Sequence, residues 1–136
     1  MYLLDTDVLS NLLKPVPSTT LIAKLSSVPI EQQFTSSITL GELIYGAYKQ
    51  RTRTDALLEQ VDRVLITNRR VLPFDAAAAL RYGELRAEME RRGTPLDDAD
   101  LRIAAIALAR AFTVITGNVR HFQRVPELAV ENWLEG

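Results

Sequence analysis

The chain has 136 residues, 47% of them hydrophobic and 24% charged, with a net charge of −1 at neutral pH and no cysteine. That length suits one domain with its own core, predicted to span residues 1–136, and the missing cysteines exclude disulfides, thiolate metal sites and zinc fingers while fitting a reducing cytoplasm. The near-neutral balance excludes a global attraction to nucleic acid, so any such binding requires a local basic patch.

In chain order, the opening "MYLLDTDVLS" holds an apolar stretch too short for a signal peptide, and no later run is long enough to span a membrane, which predicts a cytoplasmic protein. Its "YLL" predicts a short strand ending in acids, and "VLSNLLK" after it carries helical spacing up to Pro15. "STTLIAKLSS" predicts a helix capped by Ser18, "EQQFTSS" a weak strand, and "TLGELIYGAYKQ" an amphipathic helix starting at Thr39. Apolar residues recur at helical intervals over 53–67, and "RVLPF" predicts the next strand. "DAAAALRYGELRAEMERR" predicts a long helix closed by Gly93, residues 100–111 another, "FTVIT" (Phe112 to Thr116) a buried strand, and "LAVENW" the last one.

Strands alternating with helices predict the α/β class, as a three-layer α/β/α sandwich around a mostly parallel central sheet. Ligands of such sheets bind beyond the carboxyl ends of the strands. Asp5 and Asp7 directly follow the first strand, and Gly117 and Asn118 directly follow "FTVIT", so both pairs fall on that edge.

Four segments carry candidate chemistry: "LDTD", "TLGE", "DDAD" and "TGN". Each also has a local structural reading. Asp5 or Asp7 suits the N-cap of the following helix, Thr39 and Glu42 match the S/T-x-x-E capping box, and Asn118 suits a turn. The crowding of Asp97, Asp98 and Asp100 before an apolar helix goes further. A helix N-terminus accommodates one or two acids through its free N–H groups and dipole, but a third gains little and repels the others. Carboxylates gathered at one sheet edge repel unless a cation sits between them, and Mg2+ takes oxygen ligands, holds phosphate oxygens and activates water. No cysteine nucleophile and no Walker or dinucleotide glycine loop competes, and the one histidine, His121, lies in a basic segment with Arg120 and Arg124. The pattern points to phosphodiester hydrolysis.

Taken in order along the chain, "YLLDTDVLS", "SSITLGELIYGA", "GTPLDDADLRIAAIALA" and "VITGNVRHFQRVPELAVENW" resemble the PIN-domain ribonucleases, in particular the VapC-type toxins of prokaryotic toxin–antitoxin pairs. The resemblance spans nearly the whole chain. It implies a PIN fold, Mg2+- or Mn2+-dependent endoribonuclease activity on tRNA or ribosomal RNA through metal-activated water, inhibition by a cognate VapB-like antitoxin, and a homodimer. It assigns catalysis and metal binding to Asp5, Glu42 and Asp100, with Asn118 at the fourth acidic position, where it reaches a metal through a water. Asp97 and Asp98 fall to helix capping or, for Asp97, the outer shell of the metal. Thr6 and Thr116 are assigned to substrate contact and support of the site by hydrogen bonds. Arg120, His121 and Arg124 are assigned to the RNA backbone, against the alternative of a solvated basic turn. Two other functions stay open: a haloacid-dehalogenase-like phosphatase, whose D-x-D "LLDTDVL" resembles, and a non-catalytic PIN-like scaffold that binds RNA or protein.

Overall fold

The structure, a computed structural model, describes residues 1–66 and 68–135. Among them the strands are β1 (Tyr2–Leu4), β2 (Gln33–Ser36), β3 (Arg70–Leu72), β4 (Thr113–Ile115) and β5 (Val130–Glu131). The helices between them are α1 (Thr6–Leu12), α2 (Thr19–Ser26), α3 (Ser37–Lys49), α4 (Thr54–Val61), α5 (Ala76–Arg91), α6 (Asp98–Arg110) and α7 (Val119–Phe122). The strand order is β3-β2-β1-β4-β5 with every pairing parallel. The expected α/β/α sandwich forms, and no described helix is long and apolar enough to cross a membrane.

Alternation along the central strands divides the core in two. Leu3 and Val114 face a layer packed with Phe34, Met89, Ile103 and Ile106, while Leu4 and Ile115 face Val8, Leu9, Leu21 and Val61 on the other side. Both sheet faces are covered, which is why the strands read as continuous apolar runs rather than as alternating ones. α6 is buried at Leu101 and from Ile103 to Ala107, and its alanines let the helix lie close against its neighbours.

Three elements differ from expectation. α3 starts at Ser37 rather than Thr39, because Ser36 takes the cap and its Oγ accepts the Thr39 N–H at 3.0 Å. The Thr39–Glu42 capping box therefore does not form, and Glu42 is released for other contacts. The stretch over 53–67 divides into α4 and a wider π turn at Asp62–Ile66, with Thr67 outside the described residues. α7 is a single turn, too short for apolar periodicity to reveal. The Ser18 cap is as expected, with its Oγ accepting the Leu21 N–H at 3.2 Å.

Gly93 closes α5 with φ at 70°. Its N–H donates to the Glu90 carbonyl at 3.1 Å and the Thr94 N–H to the Met89 carbonyl at 3.0 Å, so the orphan carbonyls of the last turn are satisfied. Gly93→Ala forces a left-handed backbone on a residue with a Cβ and should cost about 1 kcal/mol in urea unfolding. Gly83→Ala, within α5 and with nothing within 4 Å of the added Cβ, should instead raise stability by about 0.5–1 kcal/mol.

Candidate active site

β1 and β4 run side by side where the strand order reverses, the point beyond whose carboxyl ends sheets of this kind form their ligand-binding crevice. Asp5 leaves β1 into this crevice and is only 5% exposed. It occupies the N-cap position of α1, yet its side chain makes no capping bond; its Oδ2 accepts the Thr116 hydroxyl at 2.8 Å instead. Burial, and after it the neighbouring Asp7 charge, push the Asp5 carboxyl up to about 7, against the hydrogen bonds from the Thr6 backbone and Thr116 that favour its ionised form.

Asp7, read from sequence as an acid of this edge or a helix cap and given no catalytic or metal role, joins β1 to the loop after β4. Its Oδ2 accepts the Gly117 N–H at 2.8 Å, and its Oδ1 lies 3.4 Å from the Thr116 hydroxyl. A Cβ on Gly117 would stand 2.8 Å from that same Oδ2, so only glycine lets the loop approach this closely. Thr116 Oγ1 also accepts the Asn118 N–H at 2.9 Å. One hydroxyl and one carboxylate thereby lock the exit of β4 to the exit of β1. The signal in the sequence is an acid two residues after Asp5, but the adjacency of these two strand ends is not written there.

Glu42 comes to the same edge from α3. Its Oε1 accepts the Thr6 hydroxyl at 2.6 Å, and Thr6 Oγ1 lies 3.0 Å from the hydroxyl of fully buried Thr39. Because Thr6 donates to the carboxylate, Thr39 donates to Thr6, and this relay aims Glu42. The Thr6 hydroxyl is thus engaged with Glu42.

The three aspartates at the start of α6 separate. Asp97 occupies the N-cap position without a side-chain capping bond. Asp98 accepts hydrogen bonds from the Tyr82 hydroxyl and, at 2.8 Å, from Arg102 Nε, and those two bonds hold its carboxyl below the usual range. The Arg102 guanidinium lies 5.0 Å over both the Phe74 and Tyr82 rings, so Asp98 fastens α6 to α5. The expected N-cap position thus falls to Asp97, but without the carboxylate bond to a backbone N–H that capping implied. Asp100 remains half-buried toward the crevice, where burial and then the Asp97 charge raise its carboxyl, with Glu42 adding to the rise and His121 opposing it. Asp100 in turn raises Asp5.

Asp100 therefore lies close enough to both Asp5 and Glu42 for their charges to act on it or be acted on by it. Among the described residues no three acids or histidines close around one ion-sized point; these carboxylates border an open edge. An all-oxygen rim of this kind suits a hard divalent cation that keeps much of its water shell, and repelling carboxylates with raised pKa are what such a charge would relieve.

Asn118 precedes α7, with its Nδ2 2.8 Å from His121 Nδ1, and that nitrogen is 3.7 Å from Asp100 Oδ2. With the amide donating, Nδ1 is the acceptor; where Nδ1 carries a hydrogen it faces Asp100 instead, so the two contacts are alternatives. Arg120 and Arg124 are exposed beside it.

Residues 2–128 match the PIN domain family. The chain is 43% identical over 100 residues to the tRNA(fMet)-specific endonuclease VapC of Salmonella typhimurium, covering 72% of this chain and 73% of that protein. It is 33% identical over 138 residues to ribonuclease VapC2 of Rickettsia felis, covering 98% of each. Among solved structures, VapBC2 from Rickettsia felis bound to a DNA fragment from its promoter superposes with a TM-score of 0.86 at 30% identity, covering 97% of this chain and 98% of that one. The haloacid-dehalogenase alternative falls with these matches.

Two outcomes follow from the geometry. Asp7→Asn keeps an oxygen acceptor for the Gly117 N–H and should leave that amide as slow in hydrogen exchange as in the wild type, whereas Asp7→Ala should speed its exchange and cost about 1–2 kcal/mol. Asp5 has a folded-state pKa near 7 against about 3.9 unfolded, so its protonation stabilises the fold below pH 4 and that contribution is lost as pH rises to 7. In EDTA, melting temperatures of wild type and Asp5→Asn should accordingly lie close together near pH 4 and diverge, with the wild type lower, up to about pH 8.

Proposed function

The chain belongs to the PIN domain family, within its VapC ribonuclease group, and on that premise we propose that it is the RNA-cleaving toxin of a toxin–antitoxin pair, working with a divalent cation such as Mg2+ or Mn2+. The observation that carries the catalytic part is the burial of the Asp5 carboxylate at the switch point of the sheet, where Asp7 and Asp100 stand close enough for their charges to push it up. A strained acid at the ligand-binding edge is what a cation and a phosphodiester would use.

Asp5, Glu42 and Asp100 are the residues that would hold the cation. When bound, it would neutralise phosphate charge and acidify a water for attack on phosphorus. The chain's own groups set the geometry. Thr116 holds the Asp5 carboxylate in one orientation, Thr6 and Thr39 aim Glu42, and Asp98 pins the start of the helix that carries Asp100. Asn118 offers a neutral side chain where another acid would add repulsion, and Asp97 adds negative field from outside. Arg120, His121 and Arg124, on and just after α7, would meet the RNA backbone, a reading supported by their exposure.

The partner is a VapB-like antitoxin, and a homodimer is part of the same reading; the neighbours solved as VapBC assemblies support the first. A basic side chain of the antitoxin entering the crevice would satisfy the carboxylates that otherwise take the cation.

The test uses antitoxin-free protein with initiator tRNA and ribosomal RNA. Discrete cuts should appear with Mg2+ or Mn2+ and vanish in EDTA, and Asp5→Asn or Asp100→Asn should lower the rate by at least about a hundredfold. Metal-independent cutting would remove the cation from the mechanism, and RNA binding without cutting under any ion would leave a non-catalytic scaffold. Expression alone should arrest growth, and co-expression with the adjoining small gene should restore it.

A further inference from the structure

α3 runs from the acidic edge to a basic end, and its outer side is aromatic. Glu42, Tyr45 and Lys49 stand at i, i+3 and i+7, one stripe of the helix, with Tyr48 flanking it. Tyr45 and Tyr48 are 65% and 63% exposed, well beyond what a tyrosine in a fold of this size needs to be. Neither ring packs on another ring of the chain among the described residues. Lys49 Nζ lies 5.6 Å from the centroid of the Tyr45 ring, and the exposed Arg51 and Arg53 follow within four residues. None of these three cations pairs with an acid among the described residues, whereas the arginines of α5 and α6 largely do. Tyr45 also walls an open groove of about 480 Å³ between α1, α3 and α4 whose near end is formed by Thr6 and Glu42.

From this we infer that the outer stripe of α3 is the track for the single-stranded RNA flanking the cleaved phosphate, with Tyr45 and Tyr48 stacking its bases and Lys49, Arg51 and Arg53 holding its phosphates. The inference rests on the RNA-cleaving reading and adds the route of the strand. A strand cut beside Glu42 must continue along the surface in both directions, and one direction is this stripe. Seven residues of helix advance about 10 Å, the length of roughly three stacked nucleotides at about 3.4 Å each. Aromatic faces interleaved with free cations are what single strands bind without regard to sequence. The groove beside the stripe, with Leu13, Leu43, Ala47, Leu57 and Val61 in its lining, suits an apolar peptide segment, whereas the stripe itself offers rings and positive charge, which suit a nucleic acid strand.

The experiment reads binding apart from catalysis. Fluorescein-labelled initiator tRNA and an oligouridylate of about ten nucleotides are titrated with the full chain in EDTA by fluorescence anisotropy, and KM and kcat are then measured with Mg2+ or Mn2+. Tyr45→Leu and Tyr48→Leu should each weaken binding about tenfold or more and raise KM with kcat nearly unchanged, while Tyr45→Phe stays within about twofold of wild type. Replacing Lys49, Arg51 and Arg53 together by glutamine should flatten the slope of log K against log salt by about 2. Leucine variants that bind both RNAs like the wild type overturn the track. So does a loss confined to co-purification with the antitoxin, which would give the stripe to a protein partner. If tyrosine-dependent binding is seen but no ion yields cutting, the track stands and the nuclease reading fails; if cutting is seen with unchanged KM in the leucine variants, the reverse holds.

Discussion

A single carboxylate, buried where two parallel strands end together, sets the terms for the rest of the molecule. Asp5 has exchanged water for a buried position in which its carboxylate meets the Thr6 backbone and one hydroxyl, that of Thr116. An ionised acid in such a place is costly unless charge or hydrogen bonds compensate it, which is why its carboxyl rises to about 7. The compensation available within the chain depends on register. Leu4 pairs with Ile115, so the residues that follow, Asp5 and Thr116, meet across the two strand ends. A slip of one residue would point the hydroxyl to the opposite face and leave the acid without it.

The rest of the edge is arranged around that acid and does little to neutralise it. Asp7 binds the Gly117 N–H and raises Asp5 at the same time, so the group that holds the loop also sharpens the negative field. Glu42 is steered by hydroxyls, which orient a carboxylate without cancelling its charge. Stability is thereby given up locally, and the two apolar layers on either side of the sheet supply it elsewhere. Sites that bind cations and phosphates commonly carry this kind of unrelieved charge, because relief by the ligand is part of the binding free energy.

Three neighbouring aspartates show how similar residues acquire different functions from their surroundings. Asp97 sits at the helix boundary without a capping contact, Asp98 is drawn sideways into an aromatic and guanidinium cluster, and Asp100 is turned inward. Their pKa values move accordingly, down for Asp98 and up for Asp100. α6 brings all three to the edge at once because its apolar face, from Leu101 to Ala107, docks on the sheet in one orientation.

The strand-helix alternation, the parallel sheet and the edge on which the acids fall were legible in the residues, since apolar period and turn chemistry are local properties of the chain. Ser18 and Gly93 announced their helix ends for the same reason. The ordered motifs around Asp5, Glu42, Asp100 and Asn118 also carried the family. The start of α3 differs because two hydroxyl residues three positions apart compete for one cap, and only backbone geometry decides for Ser36 over Thr39. The engagement of Thr6 with Glu42, the clasp between Asp7 and Gly117, and the capture of Asp98 by Tyr82 belong to the tertiary structure alone. Each joins residues from 16 to 110 positions apart, and a side chain selects such a partner by distance and direction in space, neither of which the order of residues along the chain specifies.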